Sequence, residues 1–182
     1  MANDHASAAG SPLIRFYLGE GPDAEGRSLQ EIRAWGYGRL EGVHDYIQWL
    51  FPTRQRSQFN PDAPELGGAE IQAFHEDARL RAALLDSLRQ MLGFYGFAYR
   101  EEGDGKPVIE TAAAWPERSR EWFVPGDHNL LRITRILDCL STLGLPEQAS
   151  AFLAALEAAS AASPGAVPAR TLDFWRRAVR WF

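Results

Sequence analysis

The chain has 182 residues, 46% of them hydrophobic and 24% charged, the balance of a globular protein with a packed core rich in large aromatic rings. A net charge of -5 argues against a general nucleic-acid binder, which ordinarily presents a positive face. The single Cys139 rules out an internal disulfide, four scattered histidines give no zinc spacing, and no apolar run approaches the roughly 20 residues of a transmembrane helix.

Met1 to Pro12 lacks both a basic start and a long apolar stretch, so it does not read as a signal peptide. It is expected to be a disordered tail (1–12) ahead of one helical domain (13–182). Alternating strand patterns are absent and helical periodicity recurs. Ser28 with Glu31 three residues on is a capping box, which places a helix over Ser28 to Trp35, ended by Gly36 and Gly38. Val43 to Phe51 predicts a short, mostly buried helix stopped by Pro52, with only His44, Asp45 and Gln48 on its polar arc. Thr53 to Gly68, with Asn60-Pro61 and Ala63-Pro64, reads as an extended loop.

A helix over Ala69 to Glu76 leads into a longer one from Ala78 to Tyr99. Leu80, Leu84, Leu88, Met91, Leu92 and Tyr95 fall on its apolar face, with Ala82, Asp86, Arg89 and Gln90 facing away. Gly93 and Gly96 mark a place where another backbone can approach closely. After a turn at Glu101 to Lys106, Val108 to Ile109 fits a short strand. Trp115-Pro116 opens a helix through Phe123, broken by Pro125-Gly126. Asp127 is the expected N-cap of a helix running to Leu143, closed by Gly144. Pro146 starts the next helix, and the last runs from Ala169 to Trp181 with Leu172, Trp175, Val179 and Phe182 on one face. No internal repeat is visible. The expected fold is all-α: a compact domain of about seven helices with long connecting loops.

The Asp127–Leu143 helix carries the main candidate site. His128, Arg132, Arg135 and Cys139 form a stripe opposite its apolar arc. Two guanidinium groups and a histidine near a helix N-terminus can hold a carboxylate or phosphate. The same arginines could equally pair with acids of neighbouring helices. His44 lies beside Asp45, but adjacent helical residues point about 100° apart, so the two do not form a proton-transfer dyad. Tyr95 and Tyr99 could line an aromatic cleft with Trp49 or Trp122, or simply fill the core. Cys139 is read as a packing residue. Walker, Rossmann, nucleophile-elbow and metal-binding patterns are missing, so no catalytic residue, metal or cofactor is assigned.

The order of motifs resembles the opioid growth factor receptor conserved-region family across roughly residues 14–182. Ile14-Arg15-Phe16-Tyr17 precedes Trp35-Gly36, and His44 to Pro52 follows with its Tyr-Ile-Gln-Trp-Leu-Phe-Pro run. Asn60-Pro61, Ala63-Pro64 and Met91 to Gly96 come next. His128 to Leu137, Leu143-Gly144-Leu145 and Leu172-Asp173-Phe174 complete the series. The resemblance implies a receptor-like module for a short, enkephalin-like peptide. Vertebrate members are associated with restraint of proliferation at the nuclear envelope and in the nucleus, and carry a long tail with repeats and basic targeting segments that is not expected here. The alanine-rich, arginine-over-lysine composition would suit a bacterial, and then cytoplasmic, protein.

Function is therefore expected to be the binding of a short peptide or small anionic ligand, with His128, Arg132, Arg135, His44, Trp49 and Tyr95 as candidate contacts. An enzyme using His44 or His128, and a scaffold with an exposed aromatic face, are the alternatives.

Overall fold

Over residues 10–56 and 60–179, which this computed structural model describes, the chain forms ten helices and one two-stranded antiparallel sheet. The expectation of a purely all-α fold with about seven helices is corrected on both counts. The helices that periodicity did not reveal are too short to complete the two turns that make an apolar stripe legible. The chain divides into two compact units between Ser87 and Leu88.

In the N-terminal unit, α1 (Pro12–Tyr17) starts with a proline in its first turn and buries Leu13, Ile14, Phe16 and Tyr17. Pro12 thus belongs to a helix rather than to a tail. The α2 helix (Leu29–Arg33) begins with the expected capping box: the Glu31 amide donates to Ser28 Oγ at 3.1 Å, and the Ser28 amide donates to the Glu31 carboxylate at 2.6 Å. Gly36 does not merely end that helix; it is the N-cap of α3 (Tyr37–Gly42), and Gly38 lies inside it. Val43 is extended (φ −98°, ψ 134°), so the helix expected over 43–51 shrinks to α4 (Ile47–Leu50). In the following loop, the Leu66 amide donates to the Thr53 carbonyl at 3.2 Å, tying its two ends.

The helices α5 (Gly68–Glu76) and α6 (Ala78–Tyr95) are separated by Asp77 alone. Arg81 of α6 reaches back so that its Nη1 donates to the carbonyls of Phe74 (2.7 Å) and His75 (2.6 Å), groups left over at the end of α5. The core of this unit is aromatic. Phe16 meets Trp49 edge-on at 5.3 Å and Tyr17 meets Phe74 at 4.9 Å, while the Tyr17 hydroxyl donates to the Leu50 carbonyl.

In the C-terminal unit, Leu88, Met91, Leu92 and Tyr95 of α6 are buried, as the apolar stripe predicts. The helix stops at Tyr95, not Tyr99. Gly96 takes the left-handed conformation (φ 89°), and the backbone of Trp115 lies against it, so the close approach expected there is real. The released residues form β1 (Phe97–Glu101), paired with β2 (Pro107–Thr111), which contains the expected strand Val108–Ile109. Tyr99 opposes Ile109 in this hairpin.

The remaining helices are α7 (Trp115–Trp122), α8 (Asn129–Thr142), α9 (Pro146–Ala162) and α10 (Ala169–Ala178). Their bounds follow their caps. The N-cap of α8 is His128, one residue after the expected Asp127, whose Oδ1 accepts from the Asn129 amide at 2.8 Å; Gly144 is left-handed (φ 86°), and Pro146 opens α9. Val179 is extended, which ends α10 before the expected Trp181; residues 180–182 lie outside the described set. Helix α8 packs against both α9 and α10, and α9 packs against β2. No helix among the described residues is long and apolar enough to cross a membrane.

Candidate functional site

Helix α8 has two packed neighbours, and this changes the meaning of its polar stripe. Arg132 is only 6% exposed and Cys139 is fully buried, whereas Leu131, on neither the predicted arc nor the stripe, is 66% exposed. The stripe is therefore not a solvated rim, since Arg132 and Cys139 lie inside the fold. His128, at the start of the helix, is half-exposed, its Nδ1 at 3.8 Å from Asp127 Oδ1 and its Nε2 buried. Arg135 is partly buried. Desolvation holds its guanidinium below the usual arginine pKa, with nearby Cys139 and Asp138 acting in the opposite direction.

Beneath this helix lies a small polar network. Arg132 Nη1 donates to Asn129 Oδ1 at 3.3 Å, and the Tyr95 hydroxyl reaches the same oxygen at 3.5 Å. Asn129 is completely buried and joins two of the candidate residues, although sequence reasoning passed over it. Its only signal was an amide side chain at the first position of an otherwise apolar helix. Tyr95 is itself fully buried, 4.8 Å edge-on to Trp122, whose Nε1–H donates to the Tyr95 carbonyl at 3.1 Å. The anticipated Tyr95–Tyr99 cleft does not form. Strand β1 carries Tyr99 away from that ring, and the Arg89 guanidinium lies over it at 4.9 Å.

The other two candidates belong to the N-terminal unit. Trp49 is 5% exposed and packed on Phe16, while His44 stands exposed between α3 and α4. Asp45, beside His44 in the chain, accepts from Arg27 Nη1 at 2.8 Å. Arg27 also binds the buried Asp23 at 2.7 Å and lies 5.5 Å from the Trp35 ring, whose neighbour Arg39 approaches to 4.1 Å. Gln48, with its amide oriented to donate, reaches the carbonyls of His44 (3.3 Å) and Asp45 (3.0 Å).

Two grooves mark the C-terminal unit. One, of about 520 Å³, lies between the hairpin turn (Asp104, Lys106) and the start of α9 (Glu147, Ser150). The other, of about 330 Å³, lies between the end of α9 and α10, beside the Glu157–Arg176 ion pair (2.6 Å). Neither is lined by any of the six candidate residues. No group of three metal-ligating side chains occurs among the described residues.

A family model described as the opioid growth factor receptor (OGFr) conserved region matches residues 10–181. Among curated relatives, the rat (Rattus norvegicus) opioid growth factor receptor is 40% identical over 109 residues, covering 60% of this chain and 18% of that protein. The Xenopus tropicalis opioid growth factor receptor-like protein 1 is 36% identical over 135 residues, 72% of this chain and 25% of that protein. The human opioid growth factor receptor is 38% identical over 111 residues, 60% of this chain and 16% of that protein. The match thus spans a quarter or less of the length of each of these three relatives. No solved structure is significantly similar to the chain.

Proposed function

The chain belongs to the opioid growth factor receptor conserved-region family, and from that premise we propose that it is a binding module for a short, enkephalin-like peptide. The observation that carries this reading is the setting of Arg135. Arg135 is a half-buried guanidinium on the α8 stripe, a group whose planar fork suits an anion with two oxygens. A peptide's terminal carboxylate is such an anion, and the half-exposed His128 lies two turns earlier on the same stripe of α8. In this reading Arg132 and Tyr95 act beneath the surface, fixing Asn129 and hence the start of the helix. His44 and Trp49 are separate candidate contacts in the N-terminal unit.

Calorimetry with an enkephalin pentapeptide and its C-terminal amide tests the idea. Saturable binding of the free acid is expected, weaker by roughly ten-fold for the amide and for Arg135→Gln, the size of one charge-assisted hydrogen bond. An absence of saturable heat with the free acid would remove the proposal. Equal affinity for acid and amide would remove the role given to Arg135.

A further inference from the structure

The hairpin leaves one of its backbone edges unused. The Ala112 amide donates to the Gly96 carbonyl and the Glu102 amide to the Lys106 carbonyl. In an antiparallel ladder the bonded pairs alternate, so Ala98 and Arg100 turn their backbone groups toward β2. Phe97, Tyr99 and Glu101 turn theirs outward; Phe97 is buried, so the open part of this edge is Tyr99 and Glu101, and among the described residues no hydrogen bond is made to the amides and carbonyls of those two. The opposite edge is different: β2 opens with Pro107, which has no amide hydrogen, and α9 packs against that strand. An open strand edge is a template for another extended backbone.

The side chains beside this edge favour one kind of occupant. On the solvent face, Ala98 is small and exposed, which leaves room above it for a long neighbour. Arg100 lies between Glu102 (3.2 Å) and Glu110 (3.4 Å), so two carboxylates share one guanidinium, and all three groups are about half exposed. On the other face Glu101 is already engaged, accepting from the Tyr99 hydroxyl at 2.8 Å and facing Arg89 at 3.7 Å. Two carboxylates against one guanidinium leave negative charge on this face, and one of them, Glu110, is the cross-strand neighbour of Ala98.

We propose that β1 takes up an extended basic peptide as a third strand, with a lysine or arginine of the peptide over Ala98 reaching Glu110. Strands lie about 4.8 Å apart, so a residue opposite Ala98 has its Cα roughly 10 Å from that of Glu110, within the combined reach of the two side chains. The proposal rests on the peptide-binding reading above and gives the peptide backbone a place that reading leaves open. A second copy of this chain would bring the same surplus of acid to the edge, which disfavours self-pairing.

The test uses the full chain and a short peptide alternating lysine and valine, blocked at both ends so that it offers no carboxylate to α8. Saturable binding is expected, with slowed amide exchange at Tyr99 and Glu101. N-methylation at one alternate set of peptide residues should abolish binding, while methylation of the other set should leave it nearly unchanged. Replacing lysine with glutamate should weaken binding roughly ten-fold, and Glu110→Gln, an exposed change that spares the fold, roughly three-fold. Equal sensitivity to both methylation sets, no protection at the Tyr99 and Glu101 amides, or protection that follows chain dimerisation without peptide would each overturn the proposal. If the blocked peptide fails here while the free-acid pentapeptide still binds through Arg135, the edge proposal falls and the peptide-binding reading stands. If no peptide of either kind binds, both fall.

Discussion

The indole Nε1–H of Trp175 donates to the carbonyl oxygen of Leu130 at 3.0 Å, and the whole of Trp175 is buried. This bond seats α10 on the first turn of α8, where the Thr134 hydroxyl donates to the same carbonyl at 3.2 Å. Trp175→Phe keeps most of the ring contact and removes the donor, so it should destabilise the fold by about 1 kcal/mol. Trp175→Ala also opens a cavity and should cost about 3–5 kcal/mol. Urea unfolding checks both values, and a wild-type midpoint for Trp175→Ala would contradict the packing described.

Gly96 sits where α6 turns into β1. A Cβ there would lie 3.0 Å from the Trp115 Cα, a backbone atom that cannot step aside, and 3.0 Å from Arg118 Cβ. The left-handed backbone adds its own penalty of about 1 kcal/mol for any residue with a Cβ. Gly96→Ala should therefore lower stability by about 2 kcal/mol or more, with the loss read from thermal or urea melts. Gly103→Ala, which meets nothing within 4 Å, is the matched control and should change little.

These two residues also show how far the sequence was legible. Periodicity alone ran the long helix on to Tyr99, because Tyr95 and Tyr99 are four apart; a single positive φ at Gly96 overrode it and released a strand. The partner Val108–Ile109 was visible, yet its mate was hidden inside the overextended helix. Caps were more informative than stripes: Ser28, Asp127, Gly144 and Pro146 all mark ends found in the fold. For the candidate site, the α8 pattern located the helix but not its surroundings. A hydrophobic arc reports the side that meets the core, and it cannot report that Arg132 on the other side is buried as well.

Cys139 gives a pH-dependent prediction. Complete burial pushes its thiol pKa well up from the ordinary value, with Asp138 adding to the effect and Arg135 opposing it. Below an unfolded pKa of about 8.5, both folded and unfolded chains hold the proton, and the stability linked to this group is fully present. Above that point the unfolded chain releases the proton while the folded chain retains it. Stability should then fall by up to about 1.4 kcal/mol per pH unit until the folded pKa is reached. Urea titrations at rising pH should show this slope in the wild type and its loss in Cys139→Ala. A thiol reagent should leave the native protein unlabelled and react once it unfolds.

The elbow between α5 and α6 carries a mechanical consequence. Arg81 clasps the Phe74 and His75 carbonyls from across Asp77, so the last turn of one helix is finished by a side chain from the first turn of the next. Fraying of either end gives up this clasp, which acts beside the Asp77 amide's bond to the Ala73 carbonyl (2.8 Å) and the Arg79–Asp77 pair (2.7 Å) to couple the two helix ends.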